Sequence, residues 1–205
     1  MALANYSDLQ SSIADWLNRD DLTTVIKDFV ALAETQMNRT IRHHKMHERA
    51  TANIDSRFSA LPSDWLETIR FNTTGTITNI VTASFKEIVD LRASNADATG
   101  RPQRYGIVGS EVEVYPTPDG TYATELLYYA KIPALSDSNT TNWLLTASPD
   151  AYLYGSLLQA APYLKDDERV TTWAQLYGAA IETINAESEK IRNSGSLVLR
   201  VRSNI

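Results

Sequence analysis

Cysteine is absent from the 205-residue sequence, so disulfide bonds, thiolate zinc sites and cysteine nucleophiles are excluded. The sequence also has no apolar run close to the ~20 residues that a membrane-spanning helix needs. The opening residues, MALANYSD, contain neither a basic lead nor an apolar core, and we therefore expect no signal peptide. Together these absences favour a protein that is made and used in a cytoplasm, or inside an assembly formed there, with no membrane partner.

Motifs with a known chemistry are absent as well. Gly106-Ile-Val-Gly109 lacks the lysine and hydroxyl residue of a phosphate-binding loop, and no G-x-S-x-G motif occurs. His43 and His47 have the i, i+4 spacing of a zinc helix but not its glutamate. The acidic run 166–168 is typical of a helix start. We therefore predict that the protein is not an enzyme and has no catalytic residues, cofactor or metal.

The charged residues give a net charge of −6, which argues against a general nucleic-acid binder because an acidic surface repels phosphates. Hydrophobic residues make up 43% and charged residues 21% of the chain, which are the proportions of an ordinary globular protein. A chain of this length can bury a sizeable core.

One segment, NRTIRHHKMHER, concentrates positive charge and all three histidines. A metal site there lacks further ligands at a recognisable spacing. Arg39, Arg42 and Lys45 fall near one helical face, so a phosphate-facing patch would make the protein a nucleic-acid-binding module that uses Arg39–Arg49. We favour a third interpretation, a cationic helix C-terminus that meets the helix dipole and leads into a strand. The histidines, whose role stays open, are His43, His44 and His47.

Helical patterns occupy both ends of the chain. Asp20-Asp21 opens a helix whose polar face, which includes Glu34, is interpreted as solvent-exposed. The longest pattern, Asn142 to Arg192, predicts two helices in an antiparallel hairpin, with Leu157 and Trp173 in the core. Pro162 should kink or end the first of them.

Strand patterns fill the middle of the chain. Gly109-Ser110 predicts a tight hairpin, residues 121–130 form the longest candidate strand, and Ser84 with Glu87 resembles a capping box before a short helix. We therefore predict an α+β fold, a helical bundle with an inserted antiparallel β-rich region and an extended C-terminal tail. The predicted boundaries are 1–47 with 142–194 for the bundle, 48–141 for the insert and 195–205 for the tail.

The C-terminal tail, residues 195–205, has its own pattern. No acidic side chain follows Glu189. Gly195 suits the end of a helix, and the residues after it alternate at period two, which predicts a strand that needs a sheet edge. That edge can belong to its own sheet, to a neighbouring subunit or to another protein. The candidate partner-binding residues are Leu197, Leu199, Arg200, Val201 and Arg202.

Four pieces of the sequence match a known pattern, in order across most of the chain. They are YSDLQSSIADWLNRDDL, LPSDWLE, GRPQRYGIVGSEVEVYPTPDGTYATELLYYAKIPALSDSNTTNWLL and SPDAYLYGSLLQAAPYLKDDERVTTWAQLY. With these pieces the chain resembles the head-to-tail adaptor proteins of tailed bacteriophages, also called head completion or connector proteins. The last piece is the most specific, because it keeps both the aromatic pattern and the acidic turn.

This resemblance implies a structural virion protein without enzymatic activity or cofactor. Such adaptors form a ring, usually of about twelve copies, beneath the portal vertex of the filled capsid. The ring extends the channel through which DNA passes without sequence recognition, and it presents a surface to the tail. The implied partners are the portal protein, tail or nozzle proteins, other copies of the chain and the passing DNA. The implied location is the head–tail junction of the virion, after assembly in the host cytoplasm.

Overall fold

The computed structural model describes residues 3–75, 78–164 and 168–192 of the chain. Within these ranges α-helices accompany two four-stranded sheets, which confirms the predicted α+β class. The chain forms two compact units: a helical unit, Met1–Lys45 with Ile132–Ile205, and a β unit, Met46–Lys131. The C-terminal tail lies outside the described residues. No helix in the described part of the chain is long and apolar enough to cross a membrane.

The helical unit is built from amphipathic helices whose apolar stripes face inward. Its helices are α1 (Tyr6–Leu17), α2 (Thr23–Thr40), α4 (Trp143–Ala147), α5 (Pro149–Leu164) and α6 (Val170–Arg192). Leu157 and Trp173 are 0% and 2% exposed, so their predicted core placement is confirmed. The predicted hairpin is also present, because α5 and α6 pack against each other.

Helix ends differ in part from the prediction. Asp20-Asp21 does not open α2, which begins at Thr23 without a side-chain cap. Pro162 lies inside α5, which continues to Leu164. Because Pro162 lies in the last turn of α5, the helix loses few backbone hydrogen bonds there.

In its described residues, the β unit contains two sheets and one helix. Its elements are β1 (His47–Ile54), β2 (Phe58–Ala60), β3 (Trp65–Thr73), β4 (Thr78–Asn79), β5 (Val81–Thr82), α3 (Phe85–Ser94), β6 (Arg104–Val108), β7 (Glu111–Tyr115) and β8 (Tyr122–Ala130). The strand orders are β1-β8-β3-β4 and β2-β7-β6-β5. Buried side chains from both sheets, among them Phe71, Val114 and Leu126, form one core.

One pairing in the β unit departs from the predicted antiparallel arrangement. β5 and β6 are parallel, whereas the other described pairs of strands in the two sheets are antiparallel. The physical reason is α3, which lies between β5 and β6 and supplies the crossover that a parallel pair requires. α3 begins as predicted, because the Glu87 N–H donates to Ser84 Oγ at 3.2 Å.

Candidate partner-binding site

The predicted partner-binding residues divide into two groups. Leu197, Leu199, Arg200, Val201 and Arg202 belong to the C-terminal tail and lie outside the described residues. Arg39, Arg42 and Lys45 are described, and they do not share one helical face, so that part of the prediction is wrong. α2 ends at Thr40, and Lys45 belongs to a short 3-10 turn, His44–Met46.

Arg42 caps the C-terminal end of α2. Its Nη1 donates to the carbonyl oxygens of Asn38 and Ile41, at 3.0 and 2.7 Å. Its backbone N–H donates to Asn185 Oδ1 at 3.0 Å, and Asn185 Nδ2 in turn donates to Thr40 O at 3.2 Å. A guanidinium on the last carbonyls of a helix both satisfies them and opposes the negative end of the dipole. This geometry is the cationic helix C-terminus that the sequence analysis favoured.

His43 and Lys45 organise the turn that follows. His43 is buried and stacks on Trp143, with ring centroids 5.1 Å apart. Its Nδ1 accepts the Lys45 N–H at 3.2 Å, and Lys45 Nζ lies 5.9 Å from the centre of the Trp143 ring. His44 donates its backbone N–H to Ser188 Oγ at 2.9 Å. These contacts give His43 and His44 structural roles in the chain's exit from α2.

The third histidine and the remaining arginine of the basic segment lie in β1. His47 packs edge-on against Tyr129, with ring centroids 4.9 Å apart. Arg49 donates to Glu125 at 2.8 Å, and Arg70 donates to the same carboxylate at 3.0 Å. The described residues contain no group of three histidines and carboxylates placed to hold a metal ion. Of the basic side chains in this segment, Arg39 and Lys45 are the exposed ones in the helical unit.

A groove between α5 and α6 is a further candidate site that sequence reasoning missed. Its volume is about 340 Å³. Apolar atoms form much of its lining, and two carboxylates lie on its rim, whereas no lysine or arginine is among the described residues that line it. The lining residues are Ser148, Asp150, Tyr154, Leu176, Ala179, Ala180, Thr183, Ile184 and Glu187. We call this feature the α5–α6 groove.

Aromatic surface continues from the α5–α6 groove onto α1. Tyr154 packs edge-on against Trp16, with ring centroids 5.9 Å apart. Trp16 is 40% exposed and Leu176 in the groove is 38% exposed. Partly exposed aromatic and aliphatic side chains that lie together are typical of partner-binding surfaces. The sequence signal was too weak to find this surface, because Leu176 and Tyr154 each fall beside a regular buried stripe.

A buried polar network in the helical unit was also missed. Glu34 is 6% exposed, and its Oε1 accepts the Leu135 N–H at 2.8 Å and the Tyr152 hydroxyl at 3.0 Å. Burial raises the pKa of Glu34 above its ordinary value, although both hydrogen bonds act to lower it. Burial also raises the pKa of Tyr152, and the Glu34 carboxylate adds to that rise.

Side chains on the same face of α2 bind residues 132–137, the segment that follows the β unit in the chain. Asn38 Oδ1 accepts the Ile132 N–H at 2.8 Å, and Lys27 Nζ donates to Asp137 at 2.8 Å. With Glu34, these side chains attach residues 132–137 to α2. The network therefore positions elements of the helical unit and is not a binding site.

Comparison with known proteins places these features in a family. The family model described as SU10 adaptor protein matches residues 4–201, which includes every described element. The curated proteins contain no significant match to the chain.

Proposed function

This chain belongs to the SU10 adaptor protein family, and from that membership we propose that it is the head-to-tail adaptor of a tailed bacteriophage. In this proposal about twelve copies form a ring under the portal. The ring extends the DNA channel and offers the surface to which the tail attaches. The observation that carries the proposal is the family match over residues 4–201.

The net charge of the chain supports a structural role at this position. A net charge of −6 suits a channel that lets DNA pass without gripping it, because phosphates are repelled and not bound. The proposed partners are the portal protein, tail or nozzle proteins and other copies of the chain. The proposed location is the head–tail junction, after assembly in the host cytoplasm.

The C-terminal tail is the proposed anchor to the portal or to a neighbouring subunit. Leu197, Leu199 and Val201 alternate with other side chains, so one face of an extended segment is apolar. Arg200 and Arg202 add charge-assisted hydrogen bonds to a carboxylate partner. A segment of this kind can add to a sheet edge or an apolar surface that a partner supplies.

Electron cryo-microscopy of assembled particles tests the proposed function. We expect a high-copy ring at the portal vertex, whereas the isolated chain should sediment as a monomer or a weakly associated species. A particle with one or two copies per vertex would rule out the adaptor function.

The basic side chains give a separate prediction. Arg39→Gln with Lys45→Gln removes the exposed cations and leaves the α2 cap intact, since Arg42 is the residue that contacts the carbonyls. We expect weaker ring docking with unchanged retention of packaged DNA, because a channel wall that binds phosphates would slow DNA passage.

Arg42→Gln is the control for that prediction, and it should lower the melting temperature by removing the cap. DNA retention and ring occupancy are both measured in reconstituted particles. If the double variant loses DNA but docks normally, Arg39 and Lys45 contact DNA and the nucleic-acid-binding alternative gains support.

A further inference from the structure

The α5–α6 groove has a polarity along its length. The Cβ of an alanine at Gly155 would touch the Tyr177 ring, which places the middle of α5 beside the first half of α6. Because the two helices run antiparallel, Asp150 lies toward the Glu187 end of the groove and Tyr154 toward the Leu176 end. The groove is therefore acidic at one end and apolar at the other.

Both rim carboxylates are available to a cation, as far as the described residues show. In the part of the chain that the structure describes, neither Asp150 nor Glu187 takes part in an ion pair. The floor beneath them, with Ala180 and Ile184, is apolar. A fitting occupant combines apolar side chains at one end with basic side chains at the other.

Residues 197–202 of this same sequence, LVLRVR, have that composition and direction. Leu197 and Leu199 come first, and Arg200 and Arg202 follow. The lengths also agree: α6 rises about 16 Å from Leu176 to Glu187 at about 1.5 Å per residue, and an extended segment of 197–202 covers about 17 Å at about 3.3 Å per residue. We infer that residues 197–202 of one copy bind in the α5–α6 groove of the next copy, with Leu197 beside Leu176 and Arg202 beside Glu187.

The reach of the chain argues against this arrangement within one copy. From Arg192 to Leu176, α6 extends about 24 Å at about 1.5 Å per residue. The residues between Arg192 and Leu197 span at most about 18 Å when fully extended. Even a straight chain therefore leaves its own Leu197 about 6 Å short of Leu176 along α6, with no slack for the chain to turn and run back toward Glu187. Binding in its own groove would require the opposite direction, which places the leucines beside the carboxylates and the arginines on the apolar end.

The inference rests on the proposed ring, and it supplies the contact that joins neighbours. A groove on one copy that receives a segment of the next is a heterologous contact, and such contacts close into rings when the rotation allows. Bodies with a net charge of −6 repel one another, so a cationic segment seated between two carboxylates offsets that repulsion where copies meet.

Cross-linking between two single-cysteine variants tests the inference, because the natural chain contributes no thiol. A full-length Thr183→Cys protein is mixed with a full-length Val201→Cys protein and oxidised without portal. The matched control replaces Thr183→Cys by Ala174→Cys, an exposed α6 position that does not line the groove. We expect several-fold more heterodimer from the Thr183 mixture, and melting temperatures close to that of the natural chain for all variants.

A charge exchange in the same assay tests the direction. Glu187→Lys in the Thr183→Cys protein should lower the heterodimer yield, and Arg202→Glu in its partner should restore it. Equal yields from the Thr183 and Ala174 mixtures would overturn the inference. So would a Thr183→Cys, Val201→Cys double variant that links only within one chain. Occupancy of the natural chain on portal-bearing capsids is measured in parallel, so failure of the groove and failure of the adaptor function give different results.

Discussion

Glu34 is a buried carboxylate whose hydrogen-bond donors, Leu135 and Tyr152, lie far from it along the chain. Its position on α2 next to polar neighbours predicted an exposed side chain, yet it is buried and accepts two hydrogen bonds. Helical spacing reports which side of α2 is apolar, but the Leu135 N–H comes from a segment far along the chain. A buried carboxylate is stable only where such donors meet it, and no local pattern encodes that meeting.

The titration of Glu34 gives a prediction about stability and pH. Burial holds its pKa above the ordinary value of 4.5, so the folded chain keeps the proton over a range of pH in which the unfolded chain has lost it. The contribution of this carboxyl to the unfolding free energy is complete below pH 4.5 and declines as the pH rises through the raised pKa.

Urea denaturation from about pH 4 to about pH 8 measures this effect. We expect the natural chain to lose stability relative to Glu34→Gln as the pH rises, since glutamine does not titrate. Glu182→Gln, at an exposed position of α6, is the control. A stability difference between the natural chain and Glu34→Gln that stays constant with pH would contradict the assignment.

At the scale of elements, Gly155 sets the spacing of three helices. A Cβ at this position of α5 would come 3.0 Å from the Tyr177 ring of α6 and 3.1 Å from the Met37 methyl group of α2. Gly155→Ala should therefore destabilise the chain by about 1–3 kcal/mol, because the cost of overpacking exceeds the gain in helix propensity.

Gly178→Ala is the matched control for that substitution. Nothing lies within 4 Å of a Cβ built at Gly178 on α6, so only the propensity gain of up to about 1 kcal/mol remains. Chemical denaturation should show a lower free energy of unfolding for Gly155→Ala and a higher one for Gly178→Ala. A stabilised Gly155→Ala variant would show that the space between α5, α6 and α2 accommodates a methyl group.

Trp173 tests the packing of the hairpin itself. It is 2% exposed on α6, and Trp173→Ala should cost about 3–5 kcal/mol of unfolding free energy. Leu32→Ala, at a side chain that is 53% exposed, should cost less than about 1 kcal/mol. A similarly small loss for Trp173→Ala would contradict its placement in the core.

Elements with regular spacing were predictable, and irregular ones were not. The α2 stripe of Ile26, Phe29, Val30, Ala33 and Met37 is buried as its spacing indicates. β3 is harder to recognise in the sequence, because register shifts near Leu66 and Ile69 interrupt the period of two. The α5–α6 groove was not predictable, since its shape depends on how two helices approach each other. Asp150 at its rim is explained from the sequence alone as an acidic residue at a helix start.

For the whole molecule, we expect the C-terminal tail to contribute to assembly but not to the stability of the isolated chain. Deleting residues 196–205 should leave the melting temperature of the isolated chain nearly unchanged, because a short terminal strand stabilises little by itself. The same deletion should abolish attachment to portal-bearing capsids. Full-length chain and the truncated form are compared for occupancy under the same conditions. Unchanged occupancy would show that attachment uses the helices or the β unit.

The division of the chain into units follows from the hydrogen bonds of its return segment. The predicted β-rich insert included residues 132–141, because residues 135–141 have the composition of a polar linker. In the structure Asn38 and Glu34 accept backbone N–H groups from Ile132 and Leu135, so this segment lies in the helical unit. A linker composition shows where regular structure stops, but not which neighbour the linker binds.

The pairing of β1 with β8 has a consequence for how the chain folds. β1 opens the β unit and β8 closes it, and their register sets His47 opposite Tyr129. Before that pairing forms, α2 and α5 are separated by a long flexible loop, and the entropy of closing the loop opposes their contact. Once β1 and β8 have paired, the distance along the chain that still has to be closed shrinks to the short segments on either side of the β unit. Docking of α2 onto α5 thereby changes from a long-range search into a nearly local one, which is the faster kind.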